Sequence, residues 1–164
     1  MTSGQPVTGN RPVVIGIGNR YRRDDAVGLA VLDRLLEQRP AGAELAAADG
    51  DPARLIELWD GARLAIVVDA VRCQGPVPGR IHRGDGQDLD QPAGAATSHT
   101  LGVTDALRLA EVLGRAPGRL IVYAIEAAEL GLGLGLSPAV AAAVEPVVAA
   151  IRRDLALLDQ QCSA

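Results

Sequence analysis

The stretch that decides the fold is Val13-Val14-Ile15-Gly16-Ile17-Gly18-Asn19, followed after four residues by Asp24-Asp25. The apolar run is typical of a buried β-strand, and the glycines after it predict a tight turn into a helix. Such a turn gathers backbone N–H groups and usually binds anions, but this one carries two carboxylates of its own. The pattern therefore favours a cation ligand or carboxylate chemistry over a phosphate.

The composition limits the class of protein. At 164 residues the chain is long enough for one domain with a substantial core and too short for two of ordinary size. It has no Phe, one Trp and two Tyr, and its formal charge is −4. We expect no nucleic-acid partner, because proteins that bind nucleic acids use aromatic side chains to stack on the bases or positive charge to contact the phosphates. All sixteen basic residues are Arg, which excludes mechanisms that use a lysine.

The termini and the cysteines indicate the compartment. Residues 1–12 are polar and lack the apolar segment of a secretion signal, and no stretch is long and apolar enough to span a membrane. We therefore expect a cytoplasmic protein without a membrane partner: a disordered tail at 1–12, one domain at 13–158 and a C-terminal tail at 159–164. Cys73 and Cys162 are too few for a disulfide framework or a zinc cluster and are interpreted as free thiols.

Short β-branched runs alternate with longer helical periods along the chain. This alternation predicts an α/β fold, a three-layer sandwich in which helices flank a twisted, mostly parallel five-stranded sheet. The predicted strands are Val13–Ile17, Glu44–Ala48, Leu64–Val68, Arg80–His82 and Leu120–Ile125. The predicted helices are Asp25–Gln38, Pro52–Trp59, Thr100–Leu113 and Pro138–Leu158, the last with Ser137 as its N-cap. Two stretches are either plain connectors or mobile segments at a binding edge: Gly84–Ser98, which has no period, and Glu129–Leu136, which repeats Gly-Leu three times from Gly131.

Three side chains could meet where ligands bind to an open parallel sheet, beyond the carboxyl ends of its strands. Asp25 follows the first strand, and Asp69 ends a strand that should be buried. Burying a carboxylate there costs on the order of several kcal/mol of stability unless it is paired, protonated or bound to metal. The alternative to a metal ligand is that Asp69 caps a helix or a turn. His99 precedes a helix and is either a ligand or a capping or surface residue. Together the three suit a divalent transition metal, whereas His82 is assigned to structure.

A nucleotide-binding module is the alternative interpretation of the glycine turn. A dinucleotide fingerprint needs a third glycine, where this chain has Tyr21, and an acidic strand end about 20 residues further on. The first such residue, Asp49, lies beyond that spacing. This alternative also leaves Asp24 and Asp25 unexplained.

At these residues the chain resembles the hydrogenase maturation proteases, endopeptidases that trim the C-terminus of a nickel-iron hydrogenase large subunit. The resemblance covers about Val13 to Leu157. It rests on segments in the family's order: the glycine turn with Asp24-Asp25-Ala26-Val27-Gly28, then Val67-Val68-Asp69-Ala70, Ser98-His99-Thr100-Leu101-Gly102 and Leu136-Ser137-Pro138.

The resemblance implies that Asp25, Asp69 and His99 bind nickel already installed in the large-subunit precursor, so that cleavage follows nickel insertion. Catalysis would be metal-assisted, with Asp24 or Asp25 as a base, or of the aspartic type, with nickel only positioning the substrate. A non-catalytic metal- or nucleotide-binding sensor on the same scaffold is the alternative function.

Two departures from the family pattern lie near the proposed site. Many relatives have Glu where this chain has Asp25, so the loop must sit closer to reach a shared ion. Many also have Asp-Gly-Gly-Thr where this chain has Asp49-Gly50-Asp51-Pro52, a difference that bears on substrate preference.

Overall fold

The computed structural model describes residues 11–38, 42–86 and 98–161, with only the backbone described at 98–101. Its strands are β1 (Val13–Ile17), β2 (Glu44–Ala48), β3 (Ala65–Val71), β4 (Ile81–Asp85) and β5 (Leu120–Glu126). Its α-helices are α1 (Val27–Gln38), α2 (Pro52–Trp59), α3 (Ser98–Leu113) and α4 (Pro138–Gln161), and a 3₁₀ turn at Arg23–Ala26 precedes α1. The α/β prediction is confirmed, and the tail predicted at 1–12 lies mostly outside the described residues.

The five strands form one sheet in the order β2-β1-β3-β5-β4. All neighbours are parallel except β4, which pairs antiparallel with β5 at the edge. The chain runs from β1 outward to β2 and then returns to the other side of β1 with β3. The strand order therefore reverses between β1 and β3, which is where open α/β sheets bind their ligands.

Alternate residues of the central strands enter two separate apolar layers. One layer packs against α1 and α4 and includes Val14, Ile66, Val68, Ile121 and Tyr123. The other packs against α2 and α3 and includes Ile15, Ala65, Val67, Val122 and the fully buried Trp59. Apart from Tyr123 in one layer and Trp59 in the other, the core is aliphatic, as expected from a chain without Phe.

The structure corrects several predicted boundaries. β3 continues to Val71, so that Asp69, predicted to follow the strand, lies inside it. β4 reaches Asp85 and includes Gly84, which was predicted as loop, because its backbone pairs with β5 despite the glycine. Ser98, also predicted as loop, begins α3, and residues 87–97 of that loop lie outside the described residues. In the described part of the chain, no helix combines the length and hydropathy needed to cross a membrane.

Candidate active site

Glycines bring the loop after β1 into contact with the sheet. A Cβ at Gly18 would lie 1.9 Å from the carbonyl oxygen of Asp25, so the loop can fold back only without a side chain there. A Cβ at Gly28 would lie 2.5 Å from the carbonyl oxygens of both Ile17 and Val68. Helix α1 therefore begins directly over the carboxyl ends of β1 and β3, and the 3₁₀ turn that carries Asp24 and Asp25 is placed above them.

Asp24 is fully buried and joins the loop after β1 to the loop at 128–137. Its Oδ2 accepts hydrogen bonds from the backbone N–H groups of Ala128 and Glu129, both at 2.9 Å. Ser137 donates its N–H to Oδ1 at 2.7 Å and its hydroxyl to Oδ2 at 2.9 Å. Burial opposes ionisation, but these hydrogen bonds outweigh it and lower the pKa of Asp24. The carboxylate is thus ionised and held by four donors.

Ser137 occupies the predicted N-cap position of α4, and its side chain also binds Asp24. It stands directly before α4, and its carbonyl oxygen accepts the N–H of Ala141. Its hydroxyl, however, donates to Asp24. The hydroxyl hydrogen thus goes to a carboxylate, which is a stronger acceptor than a neutral group, and ties the start of α4 to the turn that carries Asp24.

Asp25 faces the sheet from the same turn and is 6% exposed. Its Oδ2 accepts the backbone N–H of Asn19 at 2.9 Å, so the glycine turn itself orients the carboxylate. Within the described residues this is its one side-chain hydrogen bond. Asp25 therefore keeps far more acceptor capacity than Asp24.

Asp69 is buried, and among the described residues its carboxylate has no hydrogen-bond partner of good geometry. It is 3% exposed, and neither Oδ1 nor Oδ2 accepts a hydrogen bond from the described part of the chain. It continues the alternation of Ala65 and Val67 and so points to the α2/α3 face, just past Val68, the last residue of β3 that pairs with β1. Burial, together with the nearby carboxylate of Asp25, raises its pKa well above the usual value.

His99 lies in the first turn of α3, and its side chain is outside the described residues. The backbone nevertheless has a defined position: a Cβ on Gly102, one turn later, would lie 3.2 Å from the carbonyl oxygen of Gly50. Gly50 follows β2, so the beginning of α3 is at the carboxyl edge of the sheet, on the face to which Asp69 points. The predicted convergence of the three residues is thus observed for Asp25 and Asp69, while the position of the His99 imidazole stays a prediction.

An open cleft adjoins this acidic pair. Its volume is about 470 Å³, and it is lined by Gly18, Leu29, Ala47, Ala48, Asp49, Asp51 and Arg54. A larger cavity, about 610 Å³, lies at the opposite end of the sheet beside Asp85 and Arg119. The smaller cleft is the better candidate for substrate binding, because Gly18 in its wall contacts the backbone of Asp25, whereas the larger cavity is at the other end of the strands.

Sequence reasoning missed the donors that hold the two aspartates. The N–H groups of Asn19, Ala128 and Glu129 belong to the backbone and leave no signal in side-chain identity. Ser137 offered a signal, because it lies in the last of the four family-like segments, but the Ser-Pro pair at a helix start had a simpler explanation as a cap.

Comparisons with known proteins agree on one family. The family model described as hydrogenase maturation protease, HycI, matches residues 37–154. The hydrogenase 2 maturation protease of Escherichia coli (strain K12) is 31% identical over 154 residues, which cover 87% of this chain and 91% of that protein. The chain belongs to the hydrogenase maturation protease family. It is therefore a peptidase, as the resemblance implied, and nothing in these comparisons favours the sensor.

Other relatives are consistent with this assignment. The hydrogenase expression/formation protein HupD of Rhodobacter capsulatus is 29% identical over 150 residues, 88% of this chain and 71% of that protein. The hydrogenase maturating endopeptidase HybD from E. coli has a TM-score of 0.72 at 26% identity, covering 92% of this chain and 93% of its own. The [NiFe] hydrogenase maturation protease HybD from Thermococcus kodakarensis also has a TM-score of 0.72 at 26% identity, covering 87% and 97%.

Proposed function

We propose that the protein removes the C-terminal extension of a nickel-iron hydrogenase large-subunit precursor after nickel has been inserted. In this proposal Asp25, Asp69 and His99 bind the nickel carried by the precursor, and the cleft beside Gly18 receives the segment to be cut. The cytoplasmic location expected from the sequence is part of the same proposal.

The observation that carries this proposal is the state of Asp69. A carboxylate that is 3% exposed and accepts no described hydrogen bond is costly in any protein. The neighbouring Asp25 adds repulsion when both are ionised. A divalent cation between the two would remove both costs, since carboxylate oxygens and an imidazole nitrogen form a donor set that nickel accepts.

The surroundings of the adjacent aspartates assign them different roles. Asp24 is ionised, but four donors already occupy its lone pairs, so it is poorly suited to accept a proton. Asp25 accepts one described hydrogen bond and lies next to Asp69. We therefore assign the base, expected at Asp24 or Asp25, to Asp25, and give Asp24 a role in positioning.

Two routes remain compatible with these residues. In one, nickel polarises the scissile carbonyl or activates water. In the other, nickel only positions the precursor, and a carboxylate activates the water. Both require the segment to lie across the carboxyl edge between β1 and β3, so both predict the same dependence on Asp25, Asp69 and His99.

Cleavage of the precursor tests the proposal directly. The purified protein, incubated with nickel-loaded large-subunit precursor, should cause a discrete loss of mass at the precursor's C-terminus in mass spectrometry. Asp25→Glu introduces the residue that many relatives carry and should retain cleavage, whereas Asp25→Asn and His99→Ala should abolish it. A precursor of unchanged mass, with protease shown by circular dichroism to be folded, would refute the proposed function.

A further inference from the structure

A second group of donor atoms lies at the carboxyl edge, outside the site described above. The group consists of the side chains of Cys73, His82 and Glu126. Cys73 stands two residues after β3, His82 is the second residue of β4, and Glu126 is the last residue of β5. We call these three residues the Cys-His-Glu cluster.

Strand pairing explains why the cluster forms. His82 is paired with Ala124, and Glu126 is two residues further along the same strand. Paired residues, and residues two apart, point to the same face of a sheet, so the side chains of His82 and Glu126 are diagonal neighbours. Val71 is paired with Glu126 on its other side, which brings the chain after β3, and with it Cys73, to the same corner.

The donor atoms are already close together. The Cys73 sulfur, one ring nitrogen of His82 and a carboxylate oxygen of Glu126 all lie within 4.8 Å of one another. The His82 Nε2 is 2.7 Å from Oε1 of Glu126. Donors around a tetrahedral ion at about 2.0–2.3 Å are roughly 3.5 Å apart. A small opening of the His82–Glu126 contact and a rotation of the thiol would therefore give a binding geometry.

Glu126 is held as a metal ligand usually is. It is 3% exposed, and its Oε2 accepts the backbone N–H of Val77 at 2.6 Å, which leaves Oε1 to face His82. A hydrogen bond of this kind, from a group that is not itself a metal ligand, fixes the orientation of a ligating carboxylate. The guanidinium of Arg80, 3.8 Å from Oε1, is the described cation that would compete with an ion.

We propose that Cys73, His82 and Glu126 bind a divalent transition metal of borderline softness, such as Zn²⁺, as a second metal site independent of the proposed protease reaction. A thiolate, an imidazole and a carboxylate form a three-ligand set of the kind that leaves a fourth position for water or a further ligand. Binding forms the metal–sulfur bond and releases the thiol proton, and it requires His82 to be neutral.

The second site is near the first but separate from it. Asp69 and His82 are both paired with Ala124, from opposite sides, so β5 alone lies between them. At about 4.8 Å for each strand spacing, their backbones are roughly 10 Å apart on one face of the sheet. One ion cannot bridge that distance, so the two sites can be loaded and removed independently.

Cobalt binding tests this proposal without any precursor. The full-length reduced protein is titrated with Co²⁺ under anaerobic conditions, and the near-ultraviolet absorption that arises from thiolate-to-cobalt charge transfer is recorded. We expect this band in the wild-type protein and its loss when Zn²⁺ displaces the cobalt. Cys73→Ser should abolish the band, and His82→Ala should weaken cobalt binding at least about tenfold, as the loss of even an outer-shell partner does.

Matched variants make each outcome decisive. Cys162→Ser removes the chain's other cysteine and should keep the band. Asp69→Asn changes the proposed active site and should keep it as well, so a failure of the proposed function would not affect this result. Arg80→Gln should strengthen binding, because it removes the competing cation. A wild-type protein without the band, a band that survives Cys73→Ser, or one that is lost in Cys162→Ser would overturn the proposal.

Discussion

Two buried aspartates of this chain have opposite surroundings, and the difference decides their roles. Asp24 is held by four hydrogen bonds, whereas Asp69 accepts none from the described residues. In the sequence both are aspartates near the ends of apolar runs, and nothing local separates them. What separates them is the loop at 128–137, more than a hundred residues from Asp24.

Asp69→Asn should separate chemistry from packing. The substitution keeps the shape of the side chain and removes a buried acidic group whose ionised form is disfavoured by burial and by Asp25. We therefore expect precursor cleavage to fall to background while the melting temperature is unchanged or higher. Cleavage and thermal unfolding should be measured on the same sample. Full cleavage together with a lowered melting temperature would show that Asp69 is a structural cap and not a ligand.

Asp24→Asn should act through stability. The amide replaces one acceptor oxygen by an N–H₂ group, which must then face one of the donors of Ala128, Glu129 or Ser137. We expect the free energy of unfolding, measured by denaturant titration, to fall by about 1–3 kcal/mol. Asp33→Asn is the control, since it breaks an exposed ion pair with Arg20 that is worth at most about 1 kcal/mol. Equal losses in the two variants would contradict the positioning role.

At the scale of elements, the sequence predicted which strands and helices exist more accurately than where each one begins and ends. All five strands and four helices were found, because hydrophobic periodicity and Pro or Gly boundaries are local signals. The position of Asp69 was wrong, because β3 continues along β5 after its pairing with β1 has ended. The antiparallel direction of β4 depends on its pairing with β5, which no local pattern records.

The contact between α1 and the sheet should tolerate no side chain at Gly28. Its Cβ would overlap two backbone carbonyl oxygens at 2.5 Å, and backbone atoms cannot rotate away. We expect Gly28→Ala to lower the free energy of unfolding by about 1–3 kcal/mol, the usual cost of overpacking. Gly131→Ala is the control, since no atom lies within 4 Å of a Cβ there. Similar unfolding curves for both variants would argue against this close contact.

The hydrogen bond that Tyr123 of β5 donates to Asp154 of α4 should stabilise the fold less at high pH. Burial, and then the hydrogen bond to Asp154, raise the pKa of Tyr123 to about 12, from 10 for the unperturbed phenol. As pH rises between these values the unfolded chain loses this proton first, so stability falls by at most about 1.4 kcal/mol for each pH unit. The chain has no lysine that would titrate in the same window.

Chemical denaturation at pH 10, 11 and 12 measures this effect. Wild type should lose stability more steeply than Tyr123→Phe, which has no phenol to ionise. Parallel slopes for the two proteins would mean that Tyr123 is not protonated preferentially in the folded state.

At the scale of the whole molecule, strand order creates the site. The reversal between β1 and β3 leaves a crevice at their carboxyl ends, and the 3₁₀ turn places Asp25 over it. The alternation of elements predicted the α/β class and this edge of the sheet. It did not predict the Cys-His-Glu cluster, because His82 was assigned to structure and Cys73 to an ordinary thiol. Those residues become neighbours only through the pairing of three strands.

We expect nickel to be bound tightly only in the complex of the protease with its precursor, and not by the protease alone. The three proposed ligands, Asp25, Asp69 and His99, would leave coordination positions for the precursor to complete, so the isolated protein should bind nickel weakly there. Equilibrium dialysis should use the Cys73→Ser variant, in which the second site is disabled. Nickel-free precursor should remain uncut, and metal loading should make it a substrate. Tight stoichiometric nickel in the variant alone would contradict this view.

The way Asp24 is held also bears on how the segment 128–137 can be redesigned. At positions 128 and 129 the carboxylate contacts main-chain amides and no side chains. Ala128 and Glu129 can therefore be exchanged for almost any amino acid without breaking these hydrogen bonds to Asp24. Proline at either position would remove one of the two N–H donors. A library that randomises these two codons and omits proline would vary the rim of the crevice while its anchor stays intact.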